Sequence, residues 1–307
     1  MSINRSTEQL WHRTEAGITT PAGFASNLSE SATQNYVQIK DKAKAIEQLY
    51  LDNNVALPTE CSLASLISDA KTLSDAWLMN KPEIANYQLL FRVSSLDRIA
   101  DAVLPLATVP DRVKYLTVLT SGSLNLLQRD QSISKDILWE LELWARLCRR
   151  GLSTTLHEPD LVVHFGDATV GIACKKFYSD NNVAKVLSEG VGQIETTHDF
   201  GILAVNLDDL IPADVILKAT TQEAMGQKIQ EINAEFLVKH KRHFLRYLKP
   251  GRVISALVST SLLADIPKHN PRFNVACEAT VWAVPGLPNL KQRQLDRFYD
   301  RLMEQQG

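Results

Sequence analysis

Cysteine is scarce in this chain: Cys61, Cys148, Cys174 and Cys277 stand far apart, with no C-x-x-C pair. That spacing suits the reduced thiols of a cytoplasmic protein and supplies neither a disulfide framework nor a zinc site. Glycine and proline are also few, 13 and 12 in 307 residues. No glycines fall into G-x-x-x-x-G-K-[ST], G-x-G-x-x-G or G-x-S-x-G. Nucleoside-triphosphate, dinucleotide and α/β-hydrolase chemistry therefore lack their signatures. No apolar run approaches the roughly 18 residues of a spanning helix, so no membrane association is expected. The opening MSINRSTEQLW has no apolar core of a secretory leader, which again points to the cytoplasm. Neither sign of charge is in excess: 33 Lys+Arg against 35 Asp+Glu leave −2. This excludes coating nucleic acid through bulk positive charge and leaves room for a local basic groove.

What is present is ordinary for a folded chain, 45% hydrophobic and 22% charged, with the length of two domains or of one with a large extension. Residues 1–35 are rich in Ser, Thr and Asn and read as a loose arm or a few short turns. Residues 36–130 read as helices. Ala43, Ile46, Leu49 and Tyr50 recur at helical spacing, and Ser62 is placed to cap a helix whose apolar face is Leu63, Leu66, Ile67, Ala70, Leu73 and Trp77. Further runs cover Ile84 to Phe91, Asp97 to Leu104 and Asp111 to Leu119, with Asp97 and Asp111 at helix N-termini. After Gln131 the pattern changes. A helix from Ser134 to Arg150 stops at Gly151, then come two β-like runs about Gly166-Asp167. A helix from Asn182 to Thr197, a strand from Gly201 to Leu207 and a long polar helix from Gln222 to Leu248 follow. Strands Val253 to Leu262 and Phe273 to Val284 complete the series. This order is α/β, and it divides the chain into a helical N-terminal region, 1–130, and an α/β domain, 131–307. The helical region is a place for self-association or a protein partner. Trp77, Trp144 and Trp282 sit in periodic runs and read as core.

The most informative segment runs from Glu158 to Lys175. Gly166-Asp167 suits a two-residue type II′ loop, which wants glycine first. That loop sets Val163 opposite Val170, Leu161 opposite Ile172, Asp160 opposite Ala173 and Glu158 opposite Lys175. Alternation puts Leu161, Val163, Phe165, Val170 and Ile172 on a core face, and Glu158, Asp160, His164, Ala173 and Lys175 on the other. This is either a half-exposed hairpin with a cross-strand Glu158–Lys175 pair or a set of acids and a lysine gathered for chemistry.

Glu140 on a helix, Pro159-Asp160 on a strand, Ala173-Cys174-Lys175 on the next strand and Gln193 on the following helix together resemble the PD-(D/E)XK restriction-endonuclease-like nucleases. The resemblance covers about residues 135 to 210, more loosely to 285. It implies a mixed sheet flanked by helices and metal-dependent hydrolysis of DNA, in DNA processing or foreign-DNA defence. Mg²⁺, or Mn²⁺, would be held by Asp160, the Cys174 backbone carbonyl and Glu140. Lys175 would orient water or neutralise developing charge, and Gln193 would position phosphate or lysine. Glu140 is preferred to Glu142 because it falls at the edge of the arc Ile137, Leu141, Trp144, Ala145 and Cys148, whereas Glu142 falls between Arg146 and Arg149 as a solvated ion pair.

Ala173 departs from the family, which has Asp or Glu there. The site is then degenerate, leaving a module that binds nucleic acid or a protein; or active, with Glu158 on the Asp160 face supplying the carboxylate; or a native acid has been replaced to trap substrate. Finally, Lys239, Lys241, Arg242, Arg246, Lys249 and Arg252 form an acid-free run. It reads either as a phosphate-binding groove or as a solvated helix face.

Overall fold

The structure is a computed structural model that describes residues 11–13, 19–21, 36, 38–79, 87–213, 215–268 and 273–303. Most of the expected N-terminal arm lies outside them. Within it, β1 (Trp11–Arg13) and β2 (Thr19–Pro21) pair antiparallel.

Four helices build the first layer: α1 (Ile39–Asp52), α2 (Ser62–Leu78), α3 (Tyr87–Val103) and α4 (Arg112–Ser121). Cys61, not Ser62, caps α2: its Sγ accepts from the Ala64 N–H, while Ser62 Oγ accepts from the Leu124 N–H at 3.0 Å. The expected face of α2 is buried except for Trp77, which is 49% exposed. Of the expected run from Ile84, residues 84–86 lie outside the described residues. The rest joins the Asp97 run in the single helix α3. The polar Ser94-Ser95 step does not break it, because both hydroxyls bond back to the Leu90 and Phe91 carbonyls at 2.9 Å. Asp97 therefore sits inside α3, where it pairs with Lys42 at 2.8 Å. Asp111 does stand at the start of α4.

The α/β half opens with α5 (Ile133–Arg149), β3 (Thr154–His157), β4 (Asp160–His164), β5 (Thr169–Lys176), α6 (Val183–Thr197) and β6 (Gly201–Asn206). It continues with β7 (Ile216–Lys218), α7 (Gln222–Lys239), α8 (Lys241–Leu248), β8 (Val253–Asp265), β9 (Phe273–Trp282) and α9 (Asn289–Met303). The seven-stranded sheet runs β3-β4-β5-β6-β8-β7, with β9 on the other side of β8. The pairs β5–β6, β6–β8 and β7–β8 are parallel, and β3–β4, β4–β5 and β8–β9 antiparallel. Three elements exceed the sequence reading. Strands β3 and β7 are too short to show alternation. Helix α9 buries Leu295, Phe298, Tyr299 and Leu302, at the i, i+3, i+4, i+7 spacing of one helix face. The long polar helix is two, broken at His240, whose Nε2 is 2.8 Å from Asp180 Oδ1.

Both faces of the sheet are covered. On one face, α5, α9 and the helical layer share a continuous apolar core with Leu161, Val163, Val170 and Ile172. On the other, α6, α8 and the end of α7 cover Ala173, Leu203, Val205 and Val258. Helix α5 lies between the layers, which corrects its expected wheel. Lys135, Leu138, Trp139, Glu142 and Leu147 are buried as well, and Cys148 is exposed. Glu142 is no solvated pair: it is 3% exposed and held by the Arg98 guanidinium of α3, with Nη2 at 2.7 Å.

Candidate active site

The β4–β5 hairpin keeps the expected register through Val163–Val170 and Leu161–Ile172. Beyond that pair the ladder ends. Glu158 falls in the exposed β3–β4 turn, joined to Pro159 by a cis peptide, and Asp160 pairs with His157 of β3 rather than with Ala173. Asp160 still reaches β5: its Oδ2 accepts from the Cys174 N–H at 2.6 Å, and Lys175 Nζ lies 3.9 Å away. Because the Cys174 N–H points toward β4, the carbonyl of the same extended residue points to that side too.

Two close approaches set this corner. A Cβ on Gly171 would lie 2.9 Å from His198 Nδ1 and 3.0 Å from Pro159 Cδ, so glycine lets the Pro159-Asp160 turn close on β5. A Cβ on Gly190 of α6 would lie 3.2 Å from Lys175 Cγ and 2.5 Å from Leu203 Cδ1, so the lysine stem runs where α6 has no side chain.

Helix α5 brings Glu140 to the same place. Glu140, Cys174, Lys175 and Lys176 line a cleft of about 330 Å³, together with Asp136 and Tyr178, Asn182 just before α6, and Val186 and Glu189 of α6. Burial, reinforced by the Asp160 charge, pushes the Glu140 carboxyl up to about 8. Burial also raises Asp160 to about 6, outweighing Lys175 and the Cys174 N–H. These are two carboxyls in a poorly hydrated corner, both opposed by the charge of one lysine, Lys175. Gln193 continues the stripe of α6 one turn past Glu189. Its Oε1 is buried and has no hydrogen-bond partner among the described residues.

Asp136 and its partners were missed by the sequence reading. Asp136 precedes Glu140 by four residues and so shares its helix face. Its Oδ1 accepts from the Tyr178 hydroxyl at 2.8 Å, and burial raises its carboxyl above the usual range. Helical spacing from Glu140 was the available signal. Behind the cleft, Lys176 bonds Asn206 at 2.6 Å and Asp209 at 2.7 Å, and Lys135 meets Asp209 at 3.1 Å.

Ala173 does not line the cleft. It is fully buried in the apolar cluster beneath α6, with Leu187 and Val191. Among the described residues no three His, Cys, Asp or Glu side chains converge closely enough to share one metal ion. The hard oxygen donors that remain, Asp160, Glu140 and the Cys174 carbonyl, fit Mg²⁺, which keeps several waters and commonly takes only one or two carboxylates.

The basic run divides in two. Lys239 and His240 are tied to Asp180, and Arg252 forms a two-pronged pair with Glu195 at 2.6 Å. Lys241, Arg242 and Arg246 of α8, and Lys249 at its C-cap, are exposed. Among the described residues, no helix is long and apolar enough to cross a membrane. Comparison with protein-family models, with curated proteins and with solved structures finds no match.

Proposed function

We infer that this protein is a metal-dependent nuclease that hydrolyses DNA phosphodiester bonds. The observation that carries the reading is that Glu140 and Lys175, from two elements, line one cleft, with Asp160 of a third element 3.9 Å from Lys175 and close enough for its charge to act on Glu140. Asp160, Glu140 and the Cys174 carbonyl would hold Mg²⁺ or Mn²⁺. The ion would supply charge stabilisation at the phosphate and a more acidic bound water. Lys175 stands 3.9 Å from Asp160, close enough to place its ammonium beside the charge that develops on the phosphate. Gln193, farther along α6, has a partnerless Oε1, and its amide nitrogen is the group that would donate to a phosphate oxygen. The cytoplasmic setting and a role in DNA processing or foreign-DNA defence rest on the thiols and on the family resemblance alone. A protein partner or second copy would meet the helical layer, where Trp77, Leu78 and Met79 are exposed.

A second reading has its own observation. The position of the family's second acid is closed by core packing at Ala173, which favours a module that binds DNA or a protein without cutting. Incubation with plasmid DNA and Mg²⁺ or Mn²⁺ separates the two. Nicking by the starting chain that falls by about 10²-fold or more in both Asp160→Ala and Lys175→Ala supports the nuclease. DNA binding with no nicking under either metal replaces it with the module.

A further inference from the structure

The cations of α8 are sorted by position, and the sorting gives them a direction. Asp180, which leads into α6, holds Lys239 and His240 at the α7–α8 corner. Glu195, near the far end of α6, holds Arg252 just beyond α8. Helix α8 is thus pinned alongside α6, start to start and end to end. The terminal cations are spent on these pins. Lys241, Arg242, Arg246 and Lys249 between them face water. Arg246 lies over the Tyr247 ring, 5.7 Å from its centroid, and Arg242 Nε is 3.3 Å from His243 Nε2; neither contact neutralises charge. No acid lies between Lys239 and Arg252 in the sequence.

The pinned start of this ridge is at the mouth of the cleft. Ser179 and Asn182, which flank Asp180, both line it. From that rim, the nine residues from Lys241 to Lys249, α8 and its C-cap, carry the four cations over roughly 12 Å at 1.5 Å per residue. A line of positive charge leaving a phosphodiester-cleaving cleft complements a line of phosphates. We propose that the α8 ridge, Lys241, Arg242, Arg246 and Lys249, is the track that holds the backbone of the nucleic-acid strand as it leaves the cleft. This rests on the nuclease reading for the cleft end of the strand.

The test is fluorescence anisotropy with the full chain in EDTA, using labelled DNA of about 20 nucleotides, single-stranded and duplex, over a range of salt concentrations. Each phosphate contact contributes about 0.7 to the slope of log affinity against log salt on a single strand, and about 0.9 on a duplex. Replacing all four ridge cations by alanine is expected to reduce that slope by about 3 and weaken binding tenfold or more at 0.1 M salt. The arm with the larger loss identifies which form of DNA lies on the ridge. Arg242→Lys with Arg246→Lys keeps the charge and is expected to keep the slope. An unchanged slope in the alanine variant overturns the proposal, as does a starting chain that binds anionic lipid vesicles but not DNA. Cleavage with Mg²⁺ is scored separately. A reduced slope without cutting keeps the ridge and removes the nuclease, and cutting with an unchanged slope does the reverse.

Discussion

The Glu278 side chain is 3% exposed on β9, its Oε1 2.5 Å from where a Cβ on Gly226 of α7 would lie and its Oε2 without a hydrogen-bond partner among the described residues. Burial raises its carboxyl from 4.5 to about 8. Between those values the folded chain keeps a proton that the unfolded chain releases. Stability therefore falls as pH rises through that window and levels off above it. Glu278→Gln removes the loss, so its melting temperature should draw ahead of the parent's between pH 5 and pH 9; parallel curves would refute this. The same sign holds for Glu140 and Asp160 without a cation. Mn²⁺ at pH 8 should raise the melting temperature, and Asp160→Ala should abolish the rise. At this scale the sequence revealed a good deal. Strand alternation put Asp160 and Lys175 on one hairpin face, and they lie 3.9 Å apart, although the register set Glu158 and not Asp160 opposite Lys175; the helical wheel selected Glu140. Glu158 went astray because the ladder stops at Leu161–Ile172 and its residue lies in a turn, which alternation cannot foresee. Asp136 was overlooked because it belongs to no motif.

Helix α6 offers a paired test of how an element holds the site. Gly190 faces Leu203 and Lys175, whereas a Cβ on Gly192, two residues on, would meet nothing within 4 Å. Gly192→Ala should stabilise the chain by up to about 1 kcal/mol through helix propensity. Gly190→Ala should destabilise it by about 1–3 kcal/mol and, by moving the lysine stem, cut DNA cleavage as well. Thermal melts and a nicking assay on both variants check this, and equal effects would show that Gly190 has no special place. The elements read correctly from sequence include α1 and α6, each with one apolar face, and β6, whose unbroken apolar run marks a strand buried on both faces. Those misread include a helix covered on two sides and very short strands. Helix α5 looked amphipathic about the wrong arc because its charges, Lys135 and Glu142, are buried against partners from other elements.

Across the whole molecule, the helical layer and the sheet share one apolar core, and an ionic link crosses it. Arg98 of α3 pairs with Glu142 of α5 and, at 2.7 Å, with Asp208 just after β6. The neighbouring cations hold the buried Asp208 carboxyl down at about 2. Arg98→Ala leaves two buried carboxylates short of a partner and should cost about 3–5 kcal/mol. Urea unfolding should remain a single transition in the parent, with a lower midpoint in the variant. Two separate transitions in the parent would contradict the shared core. The expected division at residue 130 was legible as a change of pattern, but the cross-layer pair was not, since nothing local links position 98 to 142 or 208.

That arginine also bears on how such a chain can change over evolutionary time. A recombination break between the helices and the sheet would strand Glu142 and Asp208 in a dry interior, so the two halves travel as one inheritable unit. A change at one of the exposed cations of α8 would leave that link undisturbed and would be felt only at the surface.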